Sequence, residues 1–154
     1  MLRISKLADY GTVLMTHMAK YPAEMHTAKS IATHTRITLP MVSKILKLLT
    51  QAGLLTSARG AQGGYSLARD PEQIDIVEII AALDGNIALT DCSSKASECS
   101  LELICTISNN WRLINQVVYD ALKTISLAEL ADDKQRLKRA RAHLLKTAHL
   151  VNTA

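Results

Sequence analysis

Thr38-Leu39-Pro40-Met41-Val42-Ser43-Lys44-Ile45-Leu46-Lys47-Leu48-Leu49-Thr50-Gln51-Ala52-Gly53 is the stretch whose reading decides the fold. Val42, Ile45, Leu46 and Leu49 recur at helical spacing and form one apolar stripe. Ser43, Lys44, Lys47 and Gln51 fall together on another face. Pro40 sits in the first turn, where a missing N–H costs little, and Gly53 stops the helix. Just upstream, Thr27 caps a shorter helix to about Thr33, with Ala28, Ile31 and Ala32 as its apolar side. The turn Thr35-Arg36-Ile37-Thr38 joins the two. A short helix, a tight turn and a second helix with a basic face describe a helix-turn-helix. An ordinary helical hairpin with a wet outer face gives the same local pattern, so the neighbouring segments must decide.

Downstream, residues 54–59 read as a strand, 60–64 as a glycine-rich turn and 65–68 as the returning strand. A hairpin placed directly after a helix-turn-helix makes a winged helix. Glycines let its tip run close to a sugar–phosphate backbone. The candidate DNA contacts are therefore Thr38, Leu39, Pro40, Ser43, Lys44 and Lys47 in the second helix, with Arg59, Gln62, Gly63, Gly64 and Tyr65 in the wing. Before this unit, residues 5–20 form a helix capped by Ser5, with Leu7, Tyr10, Leu14 and Met18 on one side. After it, Pro71 opens a further helix through Ile74, Val77, Ile80, Ala81 and Leu83, ended by Asp84-Gly85.

Charge follows the same division. Residues 1–69 carry nine Lys/Arg against two acids, residues 70–105 one Lys against eight acids, and residues 106–154 eight Lys/Arg against four acids. A basic front half is what a phosphate-binding module needs, and nucleic acid is favoured over a solvated basic face with no partner. The chain is 48% hydrophobic and has no Phe, so its core must be built from Leu, Ile, Val, Ala and Met. No segment reaches the roughly 20 apolar residues of a membrane span, and Arg3, Lys6 and Asp9 interrupt any signal-like start. A cytoplasmic protein is expected.

All three cysteines, Cys92, Cys99 and Cys105, lie in one segment, at intervals of seven and six residues. An odd count cannot close as intramolecular disulfides alone. Gathered thiolates suit a soft metal or an iron–sulfur cluster, and the spacing is not that of a zinc finger. Three unrelated thiols remain the plain alternative. Next, Ile107, Trp111, Ile114, Val118, Ala121 and Ile125 alternate by four and three residues, a heptad stripe that fits pairing with a second copy or packing on the chain's own domain. The candidate dimerisation residues are Trp111, Ile114, Val118, Ala121 and Ile125. From Asp132-Asp133 onward a last, basic helix is expected.

The motifs Leu2-Arg3-Ile4-Ser5-Lys6, Asp9-Tyr10, Ala52-Gly53-Leu54-Leu55, Arg59-Gly60 and Gly63-Gly64-Tyr65-Ser66-Leu67-Ala68, with the cysteine triplet, resemble the Rrf-type family of bacterial transcription regulators. That family holds iron–sulfur regulators of the IscR kind and nitric-oxide-sensing repressors of the NsrR kind. The resemblance implies a dimeric winged-helix repressor that binds operator DNA through the recognition helix and wing. It also implies an iron–sulfur cluster, [2Fe-2S] or [4Fe-4S], held by Cys92, Cys99, Cys105 and one further residue. The IscR-like members carry a His three residues after the third cysteine, where this chain has Ser108. The NsrR-like members use an Asp in the partner's first helix, which matches Asp9. The first cysteine interval is one residue longer than the usual spacing. The opening residues look most like the branch that regulates the SUF cluster-assembly genes.

The expectation is thus a mainly α protein without enzymatic activity. It has a winged helix-turn-helix domain over 1–84, a cysteine-bearing loop over 85–107, a long dimerisation helix over 108–130 and a basic helical extension over 131–154. A nitric-oxide- or redox-sensing repressor of the same fold is the nearest alternative. A thiol-based redox protein is the alternative of another class, and it lacks a Cys-x-x-Cys pair.

Overall fold

The computed structural model describes residues 4–60, 62–93, 99–100 and 104–132. The expected C-terminal basic helix lies outside the described residues. Helix α1 spans Lys6–Ala19, α2 Ala28–Thr35 and α3 Leu39–Gln51. Strands β1, Leu55–Ala58, and β2, Gly64–Leu67, pair antiparallel with Leu55 opposite Leu67 and Ala58 opposite Gly64. Helices α4, Ile76–Asp84, α5, Ser108–Lys123, and α6, Leu127–Ala131, complete the described architecture. This is a mainly helical winged helix with one small sheet.

Local chemistry sets the ends of these elements. The Ser5 hydroxyl accepts from the backbone N–H groups of Leu7 and Ala8, which begins α1. The Thr27 hydroxyl accepts from Ser30 N and begins α2. The expected helix from Pro71 differs in one respect. Pro71–Gln73 is a single 3-10 turn, and α4 starts only at Ile76. The reason is Asp75, whose carboxylate accepts from Glu78 N while the Glu78 side chain accepts from Asp75 N, a reciprocal capping box. Ile74 is extended and fully buried.

The core is aliphatic, as the composition requires. Leu14, Met15 and Met18 of α1, Ile31 of α2, and Val42, Ile45, Leu46 and Leu49 of α3 are fully buried together with Ile74 and Ile79. Each apolar stripe faces inward because the opposite face carries the chain's polar residues. Leu127, also fully buried, comes from beyond α5. The chain returns there to the first domain: Asp75 and Ser126 form an antiparallel bridge, Ile76 N donates to Ile125 O at 3.0 Å, and Leu127 N donates to Ile74 O at 2.7 Å. Ser126 and Glu129 form a second capping box at the head of α6. The short helix α6 is a closing piece of the winged domain that hydropathy did not mark, because five residues are too few to display a period.

Truncating Leu127 to Ala should remove a fully enclosed side chain and destabilise the protein by about 2–5 kcal/mol. Urea unfolding followed by circular dichroism is the check. Loss of less than about 1 kcal/mol would mean that α6 is not part of the cooperative core.

Candidate functional site

Helix α3 presents its polar side to solvent because its apolar stripe is spent on the core. Ser43, Lys44 and Lys47 are exposed, as are Thr38, Leu39 and Pro40 at the N-terminal end. Thr38 occupies the cap position without a side-chain capping bond. A hydroxyl, two ammonium groups and an open helix start thus lie along one exposed surface, which suits contact with base edges and phosphates.

The wing begins one residue after Leu54, which is buried. Arg59 and Gln62 are exposed near its tip, and Gly60 takes φ 110°, in the region that favours glycine. Gly63 is demanded by space: a Cβ there would lie 2.3 Å from the Ala58 carbonyl oxygen. Gly64 is equally constrained, with a would-be Cβ 2.7 Å from the His26 carbonyl oxygen. Tyr65 N donates to His26 O at 2.8 Å, and His26 N donates to Tyr65 O at 2.9 Å. Those two bonds fasten the wing to the segment before α2. The Tyr65 ring is half-buried and packs against the core, so this residue sets the wing's angle. The tie to His26 was not visible in the sequence, since nothing in hydropathy pairs residues 26 and 65.

Beside this tie, His17 of α1 stacks on His34 of α2 with ring centroids 5.0 Å apart and meets His26 edge-on at 5.7 Å. Burial first, and then the neighbouring His26, His34 and Lys20, hold the His17 imidazole below its ordinary value. The three rings pack α1 against the helix-turn-helix.

The cysteine segment lies between α4 and α5. All three thiols are free; Cys92 is buried, and Cys99 and Cys105 are half-buried. The Thr90 hydroxyl lies 3.2 Å from Cys92 Sγ and 2.8 Å from Ser93 Oγ. Helix α5 holds the start of the segment. Arg112 Nε donates to Cys92 O at 3.2 Å, Leu89 N donates to Asn115 Oδ1 at 3.0 Å, and Asn115 Nδ2 donates to Ile87 O at 3.4 Å. Ser108 is buried, and its hydroxyl donates to Cys105 O at 3.1 Å, so it is committed to the backbone at the head of α5. Asp9 is exposed on α1 and lines a cleft of about 360 Å³ with Ile4, Ser5, Lys6, Thr12 and Ile76. Among the described residues, no group of three His, Cys, Asp or Glu side chains converges on one point within the chain.

The heptad residues divide between two surroundings. Trp111 and Val118 line a cleft with Ile4, Ile80 and Leu122, and Ile125 packs on the core. Ile114 and Ala121 face solvent. So do Leu113, 67% exposed, and Val117, 61% exposed, which the strict four-three spacing passed over. An α-helix turns by 100° per residue, so residues 113, 114, 117 and 121 share a face rotated away from 111, 118 and 122. No helix among the described residues is long and apolar enough to cross a membrane.

Comparison with known proteins agrees with this architecture. Residues 4–133 match the Rrf2 family model, described as an iron-dependent transcriptional regulator. The regulator IscR of Vibrio vulnificus is 32% identical over 136 residues, covering 84% of this chain and 79% of that protein. The structure of CymR, the global cysteine regulator of B. subtilis, superposes with a TM-score of 0.68 at 30% identity, covering 85% of this chain and 97% of that one. The T. potens IscR structure gives 0.65 at 28% identity, covering 90% and 88%.

Lys44→Ala and Arg59→Ala should each weaken binding to duplex DNA without lowering Tm, because both side chains are exposed. Each removes one cation from the candidate DNA-binding surface, so the log–log dependence of affinity on salt should become shallower by about one unit. Fluorescence anisotropy across a salt series reads this directly, and an unchanged slope in both variants would remove α3 and the wing from the interface.

Proposed function

The chain belongs to the Rrf2 family of transcriptional regulators, and from that premise we propose that it is a dimeric repressor whose hold on operator DNA is set by an iron–sulfur cluster. The observation that carries the reading is the placement of the thiols. Three free cysteines lie in one segment, and the carbonyl of the first is held by Arg112 of α5. A change at the cysteines is therefore passed to a helix that bears an unpartnered apolar face.

The donor set fits an iron–sulfur cluster in kind: three uncrosslinked thiols and, on α1, an exposed carboxylate. Cys92, Cys99 and Cys105 would hold it, with Asp9 of a second copy as the fourth ligand. Ser108 is a poor candidate because its hydroxyl already serves the Cys105 carbonyl. When bound, the group supplies a centre sensitive to oxidants and to nitric oxide. The chain's own part is mechanical. Thr90 and Arg112 fix Cys92, while Asn115 fixes residues 87 and 89 to the same helix. Because Arg112 holds the Cys92 carbonyl, drawing the thiols onto one centre would load α5. Across a dimer, α5 sets the distance between two α3–wing units, and that distance must match two half-sites.

The second copy is expected on Leu113, Ile114, Val117 and Ala121, a solvent-facing apolar strip on α5. The N-terminal motifs favour cluster-assembly genes as the regulated set, with the cytoplasm as the place of action. A repressor of the same fold that senses nitric oxide or redox state is the competing reading, resting on the same three uncrosslinked thiols.

Two experiments decide. Anaerobically purified protein should contain iron and sulfide, and each of Cys92→Ala, Cys99→Ala and Cys105→Ala should lose both. Asp9→Ala should retain a cluster with an altered visible spectrum and a shorter lifetime, since a carboxylate is a harder partner for iron than a thiolate. Full iron and sulfide in all three cysteine variants would overturn the cluster. For assembly, Val117→Glu sets two like charges in the strip and should weaken the dimer by roughly a hundredfold in sedimentation equilibrium. A dimer of undiminished strength would place the seam elsewhere.

A further inference from the structure

Arg36 occupies a backbone conformation that its side chain does not favour. It ends α2 with φ 58° and ψ 23°, and among the described residues it is the single non-glycine with positive φ. A Cβ in the left-handed region crowds the following carbonyl, so Gly or Asn is the usual choice at such a helix end. The turn itself requires the conformation. The Thr35 hydroxyl is committed to Ile31 O at 2.8 Å, Ile37 packs against the core, and α3 begins at Leu39. The backbone is therefore fixed from both sides, and only the identity of the side chain is open.

The fold gains nothing visible from a guanidinium there. Arg36 is exposed and forms no ion pair or hydrogen bond with its side chain among the described residues. It stands two residues before Thr38, beside the exposed start of α3, in the half of the chain with nine Lys/Arg and two acids. An unfavourable backbone state kept at a charged, unpartnered residue marks a functional position.

We propose that Arg36 is a further DNA-contacting residue, gripping a backbone phosphate at the edge of the groove that α3 enters. The proposal rests on α3 being the recognition helix. A guanidinium offers a planar fork of donors that matches phosphate oxygens, and a contact from the turn fixes the angle at which the helix lies in the groove.

The test separates charge from backbone strain. Arg36→Gly and Arg36→Asn relieve the left-handed strain and remove the charge, whereas Arg36→Lys keeps both. The probes are a labelled duplex enriched from a random pool by the unmodified protein and an unrelated duplex of equal length. Arg36→Gly and Arg36→Asn should melt no lower than the unmodified protein. Their salt slope should be shallower by about 0.9 per protomer, which corresponds to about an eightfold loss of affinity at about 0.1 M salt for each phosphate released. Arg36→Lys should keep the slope. An unchanged slope in both Gly and Asn variants overturns the proposal, as does a slope lowered equally in Arg36→Lys, where the positive charge is retained. Failure of the unmodified protein to bind either duplex would instead overturn the recognition-helix reading, and Lys44→Ala run alongside keeps the two failures apart.

Discussion

The return of the chain from α5 to the winged domain is the constraint on which the rest depends. Residues 74–76 and 125–127 meet as two short antiparallel stretches, joined by backbone bonds from Ile76 to Ile125 and from Leu127 to Ile74. Capping boxes at Asp75 and Ser126 start helices on either side of the junction. Each bond contributes only about 1 kcal/mol net, but their loss would leave buried polar groups without partners. With Leu127 enclosed in the core, the C-terminal end of α5 cannot drift from the first domain. Asn115 and Arg112 fasten the middle of the helix to residues 87–92. Helix α5 is thus a rigid bar tied to the DNA-binding unit, with one apolar strip left over.

That arrangement divides the molecule's surface by task. Ser43, Lys44 and Lys47 of α3, Arg36 and Thr38 before it, and Arg59 and Gln62 near the wing tip are polar or basic and exposed. The wing's orientation is not free, because the His26–Tyr65 pairing and the close approach of Gly64 to the His26 backbone hold it to the segment before α2. A DNA-binding surface of this kind works through fixed relative positions, since phosphate contacts set register while base contacts read sequence.

Control of such a surface needs an element that is connected to it and that moves as a unit. The cysteine segment meets the first condition through α5. Its thiols are uncrosslinked; Cys92 is held by Thr90 at its sulfur and Arg112 at its carbonyl, and Cys105 by Ser108 at its carbonyl.

How much was legible beforehand depends on the range of the interaction concerned. Local patterns named the helix-turn-helix, the hairpin and the family resemblance, because helical period, capping hydroxyls and glycine turns are decided within a few residues of each other. They also marked Ser43, Lys44 and Lys47, whose exposure follows from the stripe opposite, and Arg59 beside the glycine turn. Tertiary structure alone decided the burial of Leu127, the tie between His26 and Tyr65, and the division of the α5 stripe into residues that face the domain and residues that face solvent. Each of these joins parts of the chain far apart in sequence. Hydropathy records that a side chain is apolar, but only the packed chain determines which neighbour covers it.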